Sequence, residues 1–320
     1  SLKYVSKSDF KAFEGDIKDI TVSATSGDVT VITKDIDKTI IETTYKVYGG
    51  VTEDALEDFL RDNVIIELDQ GELVVNVKSK RIVVEMTITL AASQIEDAKF
   101  DVVNGTTIIK DLVAQDLNIK KANGDLSILG GNFEHVTVKA VNGELKLVTN
   151  FDTADINSVN GEILVTATSM SAENLKVKNV NGDVKISVPN NIGVVGYVKT
   201  TFGKYKTRIA LDNPLEITKN GAALIRTATN SLTLDIATNT GSIWLKDGEV
   251  AYQETATAPV TPVQTEETKS GQVTETPETT IPEKIEQSEP TVVPEVDNSK
   301  FDTILENKPD DESEVKQNHE

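Results

Sequence analysis

Cysteine is absent from the 320 residues, which removes disulfides, thiol nucleophiles and thiolate metal sites together. Histidine occurs twice, and of the two only His135 lies before residue 250. It directly precedes an apolar position, in the outward register, so a Ser or Cys triad has no base to draw on there. Four arginines serve the same stretch, and the acidic residues are spread evenly along it instead of converging, which argues against a carboxylate-pair enzyme. Basic side chains are outnumbered, 32 against 52, for a net charge of −20. That balance opposes nucleic-acid binding and adsorption to anionic membrane surfaces. No apolar run reaches the roughly 18 residues of a membrane span, and Gly130-Gly131 lacks the Lys-Ser/Thr and helix of a phosphate loop. No cofactor site is expected, and no catalytic or metal-binding residue is assigned.

What the chain does contain is a tetrad of apolar residues hung around a small turn. The copies centre on Ser26, Gln70, Asn104, Asn123, Asn142, Asn160, Asn181 and Thr240, each followed by Gly (Gly105, Gly124, Gly143, Gly161 and Gly182 in the Asn copies). Positions six and four before each centre, and three and five after it, are apolar in every copy except at Thr107. Spacing of two is strand periodicity, one face inward and the other, rich in Lys, Thr, Asp, Asn and Ser, outward. Between Asn104 and Asn181 the centres are 19, 19, 18 and 21 residues apart. A near-constant period of this length marks a repeat architecture, since one unit cannot bury its apolar face without a stacked neighbour.

Two geometries satisfy the pattern. Asn-Gly is the strongest short signal for a tight type I′ hairpin, because both turn residues need positive φ. A β-solenoid instead uses Asn-Gly as a corner, stacking like corners about 4.8 Å apart. Hairpins alone do not explain the constant interval, so the solenoid is preferred: an all-β, β-helix-like stack of strand-turn-strand repeats of about 19 residues.

The runs TSGDVTV (Thr25 to Val31), ANGDLSI (Ala122 to Ile128), VNGELKL (Val141 to Leu147), VNGEILV (Val159 to Val165) and VNGDVKI (Val180 to Ile186) resemble the repeats of the bacterial β-strand-repeat "putative adhesin" family, a domain of unknown function. The resemblance covers residues 10–248. Its members more typically carry Ser-Gly-Asp at the turn, and Asn here keeps the same turn chemistry. The resemblance implies a β-helix-like fold and an envelope-associated, non-enzymatic role, and it brings no ligand or active site with it.

Departures from the period mark the remaining features. Residues 1–100 are a less regular cap region of the 1–250 repeat domain. Within it residues 52–62 place Ala55, Leu56, Phe59 and Leu60 at helical spacing behind Thr52 as N-cap, which predicts one short helix plugging the first coil. A partner-docking helix is the other reading. Between Asn181 and Thr240, Pro189, Gly193, Gly196 and Gly203 interrupt the coils. This stretch holds Tyr197, Lys199, Phe202, Lys204, Tyr205, Lys206 and Arg208, the one basic and aromatic cluster of the chain. With Trp244, expected to face outward, these are the candidate partner-binding residues, with Lys for charge and rings for stacking. The plainer reading is an edge hairpin whose lysines keep other chains off the edge. Asp28, Glu72, Asp125, Glu144, Glu162 and Asp183 follow the turn glycine, but the dense nine-residue Gly/Asp cycle of calcium-binding coils is missing. With Lys121, Lys139, Lys146, Lys178 and Lys185 nearby, they are expected to form a solvated, alternating-charge face.

Composition changes near residue 250. Residues 251–320 contain seven of the nine prolines, with 17 acidic and 5 basic residues, and predict a disordered acidic tail. In it Phe301 to Leu305 form a short apolar island suited to docking. The start at Ser1 suggests a processed fragment, with a leader or membrane anchor outside these residues. The expectation is therefore a non-enzymatic, extracellular or envelope-associated interaction module that presents a rigid repeat surface to a protein or envelope polymer. A cytoplasmic location is the alternative. So, for function, are an envelope-stress-sensing or regulatory domain with a partner-docking tail and, less favoured, a carbohydrate-active β-helix enzyme.

Overall fold

The computed structural model describes residues 2–248; the predicted tail, with its Phe301 to Leu305 island, lies outside the described residues. The chain begins β1 (Tyr4–Phe13), β2 (Asp19–Lys34), β3 (Thr39–Tyr48), α1 (Glu53–Asn63), β4 (Val64–Asp69), β5 (Glu72–Val77) and β6 (Ile82–Ala91). The repeats follow as β7 (Ile95–Asn104), β8 (Thr107–Lys110), β9 (Val113–Asn123), β10 (Leu126–Asn142), β11 (Leu145–Asn157), β12 (Ile163–Ala167), β13 (Asn174–Asn181) and β14 (Val184–Val188). The last part contains β15 (Gly193–Phe202), β16 (Tyr205–Thr207), β17 (Glu216–Thr218), β18 (Gly221–Arg226), β19 (Ser231–Thr240) and β20 (Ile243–Asp247).

These strands form a β-solenoid. Each coil has one strand before the corner glycine, on what we term face A, and one after it, on face B. Parallel pairing stacks face A as β5, β2, β7, β9, β10, β11, β13, β19 and β15. Face B stacks as β6, β2, β8, β10, β11, β12, β14, β20 and β16. The long strands β2, β10 and β11 serve both faces because their two halves lie on either side of a bend. The repeat register is kept from coil to coil: Leu126 pairs with Leu145, Leu145 with Ile163, Ile163 with Val184 and Val184 with Ile243. Like side chains therefore stack on like, and one continuous apolar core runs the length of the molecule.

Of the 32 tetrad positions, 30 are buried. The two that are not, Val64 and Ile66, expose a difference from the repeat reading. The Gln70-Gly71 copy is an antiparallel hairpin joining β4 to β5, with Asp69 opposite Glu72. Gln70 and Gly71 both have left-handed φ, 50° and 83°, as a type I′ turn requires. At Asn104, Asn123, Asn142, Asn160 and Asn181 only the following glycine is left-handed, with φ from 121° to 142°. The strongest hairpin dipeptide thus makes coil corners here, and Gln-Gly makes the hairpin.

Chain order and stacking order differ at both ends. β2 lies between β5/β6 and β7/β8, and β19/β20 lies between β13/β14 and β15/β16. The stretch before Thr240 is thus not an interruption of the solenoid: β15 and β16 form a full outer coil, with Phe202 opposite Thr240. Antiparallel strands then cover exposed edges, β3 and β1 against β6, β4 against β5, and β18 and β17 against β15, which blocks edge-to-edge pairing. Helix α1 starts at Thr52, whose hydroxyl accepts the Ala55 N–H at 3.3 Å, and buries Leu56 and Leu60 in the common core. Lys7 of β1 is 3.5 Å from Glu57, so the helix bridges the capping strands at the first end.

Candidate functional site

The corner is the most constrained part of each coil. A Cβ on Gly105, Gly124, Gly143, Gly161, Gly182, Gly241 or Gly203 would overlap the carbonyl oxygen of the glycine in the adjacent coil. Only glycine lets the coils approach to strand spacing there. Beside this column runs an asparagine ladder. Asn123 donates to Asn104 (2.8 Å), Asn142 to Asn123 (3.0 Å), Asn160 to Asn142 (2.8 Å) and Asn181 to Asn160 (2.9 Å), and Asn104 donates to the Thr25 carbonyl at 3.3 Å. The residues just before these asparagines, Val103, Ala122, Val141, Val159 and Val180, stack as a second apolar cluster separate from the core. Both columns span the same five coils.

Two residues before each centre lies a slot that the tetrad omits. In four coils it holds Lys121, Asn179, Thr238 and Thr200, all buried. Each donates to a corner carbonyl: Asn179 to Gly161 at 2.9 Å, Thr238 to Gly182 at 2.9 Å, Thr200 to Gly241 at 2.6 Å, and Lys121 to Gly105. Lys121 also donates to Val102 O at 3.3 Å and lies 3.5 Å from Thr107 Oγ1, which accounts for the one polar residue of the tetrad. The expectation that Lys121 belongs to a solvated charged face is therefore corrected: its side chain is interior and 1% exposed. Burial pushes its pKa down to about 8, against the opposing pull of Asp125, Asp28 and Asp101.

Three of the acidic residues after the corner glycine also have structural partners. Asp28 accepts the N–H of Thr106 at 3.0 Å, Asp125 that of Glu144 at 2.9 Å, and Asp183 that of Ser242 at 2.8 Å. These carboxylates tie one coil to the next. Among the described residues no group of three or more His, Cys, Asp and Glu side chains is placed to hold a metal. His135 is exposed and hydrogen-bonded to Thr153 at 2.7 Å.

The basic and aromatic residues are divided by the fold. Tyr197 and Lys199 lie on β15 in face A, where Tyr197 donates to the Asn220 carbonyl. Phe202 occupies the corner, 66% exposed. Tyr205 turns inward against the core, its hydroxyl accepting the Thr200 N–H at 2.8 Å. Lys204, Lys206 and Arg208 point outward on face B and are exposed. The register places Lys206 beside Trp244 and Trp244 beside Lys185, and the Arg208 N–H bonds to the Leu245 carbonyl at 2.8 Å, beside exposed Lys246.

The result is a grid of alternate positions over three coils: Asp183, Lys185 and the buried Ser187; Ser242, Trp244 and Lys246; Lys204, Lys206 and Arg208. Five are cationic and one anionic. Lys185 and Lys206 lie against the indole, their Nζ atoms 5.8 and 5.5 Å from its centre, and Lys185 is also 2.8 Å from Glu162. Cation–π attraction holds the two ammonium groups in place, and with both occupying the indole it is not a free stacking platform. The indole N–H is covered and has no hydrogen-bond partner among the described residues. Lys246, 38 residues after Arg208 in the sequence, was not among the candidates; counting every second residue after Thr240 reaches it.

A family model for the Toastrack domain, DUF4097, matches residues 14–246. The chain belongs to the Toastrack family. The matched span takes in α1, every parallel coil and the grid around Trp244. Solved structures similar to this Toastrack chain share little sequence with it. A putative cell adhesion protein from Clostridium sporogenes is 14% identical, with 76% of this chain and 100% of that one covered and a TM-score of 0.32. A putative adhesin from Bacteroides fragilis is 14% identical over 78% and 98%, TM-score 0.39. A putative lipid binding protein from Parabacteroides distasonis is 11% identical over 76% and 96%, TM-score 0.38.

Proposed function

We propose that this chain is a non-catalytic interaction module of a bacterial cell envelope, and that the basic end of face B binds an extended anionic partner. The observation that supports this is the grid. In a protein of net charge −20, five cationic side chains share one rigid surface on three adjacent strands. Neighbouring positions along a strand face are about 6.7 Å apart and neighbouring coils about 4.8 Å apart. That array suits a polymer carrying charges at short, regular intervals better than a single small anion. Because the strands are hydrogen-bonded on a packed core, the array needs no ordering on binding, which lowers the entropic cost.

The test is cosedimentation of the full chain with isolated bacterial envelopes. Wild type binds at low salt and is released by roughly 1 M salt, where screening is nearly complete. The K204E/K206E/R208E variant loses at least about tenfold in affinity, since rim charges govern attraction of this kind. Undiminished binding by the variant overturns the assignment to this face. Release of soluble sugar from the envelopes overturns the non-catalytic part.

A further inference from the structure

The segment Asp310, Asp311, Glu312, Ser313, Glu314 is the densest run of carboxylates beyond residue 250. We infer that it docks across Lys204, Lys206 and Arg208 on face B of the same molecule, as an intramolecular competitor for the anionic partner. Three observations converge on it. The first is charge: residues 251–320 carry 17 acidic and 5 basic side chains, and the grid they would meet is cationic. The second is spacing. Lys204, Lys206 and Arg208 alternate along one strand and its continuation, all outward, and Asp310, Glu312 and Glu314 alternate in the sequence in the same way. Laid out as an extended strand, the three carboxylates repeat at about 6.7 Å, the interval of the three cations.

The third is the starting point. Trp244 and Lys246 belong to β20, the last strand among the described residues, which ends at Asp247, so the segment that follows starts beside the basic grid itself. The 62 residue-to-residue steps from Gly248 to Asp310 can span up to about 200 Å, far more than the return requires. Tethering makes the contact intramolecular and favours it over a free anion of equal affinity. Strand β16 pairs with β20, and among the described residues no strand pairing covers the cation row from its outer side. The inference shares a patch with the proposed function and does not depend on the identity of the envelope partner.

The single tryptophan of the chain lies in this patch, so its fluorescence reports on the site alone. Acrylamide quenching of the full-length protein would be compared with that of the D310N/D311N/E312Q/E314Q variant, whose changes leave the solenoid untouched. At low salt the wild type is expected to be about twofold less quenchable, and at 1 M salt the two converge as screening releases the segment. The K204E/K206E/R208E variant loses the protection, and adding D310K/E312K/E314K to it restores the protection by reversing both signs. Equal quenching of wild type and neutralised variant at low salt overturns the inference. So does failure of the charge swap to restore protection, or protection that grows with protein concentration, which would put the segment on a second copy. Inorganic polyphosphate titrated into both proteins separates the two proposals. Tighter binding by the neutralised variant supports competition. If neither binds and the salt-dependent protection persists, the docking of the segment stands while its role as a competitor, and the anion-binding reading of face B, fail.

Discussion

Replacing Lys121 with methionine tests the interior polar slot through its pH dependence. In the folded chain the ammonium is 1% exposed and its pKa falls from an ordinary 10.5 to about 8. Burial is the largest cause, and it outweighs the distant carboxylates of Asp125, Asp28 and Asp101. Between pH 8 and 10.5 the unfolded chain therefore holds more protons at this site than the folded one, so stability rises with pH across that window. The gain is complete above pH 10.5 and is lost as pH falls through 8. At about 1.4 kcal/mol per pKa unit, the full amplitude is roughly 3 kcal/mol. K121M has no such term. Its stability relative to wild type should decline by roughly 3 kcal/mol from pH 7 to 10.5, whatever constant cost arises from the unmade bonds to Val102 and Gly105. Tyr45, whose pKa burial raises, contributes the opposite slope above pH 10, but equally in both proteins. Urea unfolding followed by circular dichroism at half-unit pH steps measures the difference. Parallel stability curves for the two proteins would refute the assignment of Lys121 to the interior.

The corner geometry makes two further predictions. Gly143 has φ 142°, and a Cβ there overlaps the Gly124 carbonyl, so G143A should lose about 3 to 4 kcal/mol from combined strain and overpacking. Gly15, with φ 106° and open surroundings, is the control: G15A should lose only the strain, about 1 kcal/mol, and equal losses in urea titrations would discount the glycine column. Asn142 donates one ladder bond and accepts another, so N142A should cost about 1 to 2 kcal/mol. In the N123A/N142A double variant the shared bond is lost only once, so the combined loss falls short of the sum. Full additivity would mean that the ladder bonds are not coupled.

The stack was legible in the sequence because its core positions obey a single parity rule over seven corners, and a stacked interior leaves little freedom at those positions. The polar slot was not. Its occupants read Ala24, Val102, Lys121, Ala140, Ser158, Asn179 and Thr238, with no common chemistry along the chain; what Lys121, Asn179 and Thr238 share is a bond to a glycine carbonyl of the adjacent coil. Parity alone would have put Lys121 inside, since it lies two residues from Ile119 on the same face, but its charge favoured an outward reading. The outer coil was hidden for a related reason. Around Phe202-Gly203 the four tetrad positions hold Gly196, Val198, Tyr205 and Thr207, and a terminal coil with antiparallel cover on one side needs a less apolar set. Gln70 failed in the opposite way. All four of its flanking residues are apolar, yet Val64 and Ile66 stand on a capping strand, where half burial also selects aliphatic side chains. Lys204, Lys206 and Arg208 were visible as a cluster, but their company was not, because Lys185, Trp244 and Lys246 reach them only through the inserted coil.

That insertion also bears on whether the cations protect an edge or recognise a partner. Protection requires charge on the terminal strand alone, and Lys204, Lys206 and Arg208 on β16 and its continuation would meet that need. Lys246 and Lys185 lie one and two coils further in, where pairing on both sides already closes the backbone to other strands. An interior strand gains nothing against aggregation from an outward lysine beside another lysine, and like charges at these spacings repel. Trp244 offsets part of that repulsion by placing its indole between Lys185 and Lys206. A surface that brings cations together over three coils, and supplies an aromatic ring to keep two of them close, has the arrangement expected of an anion-binding face.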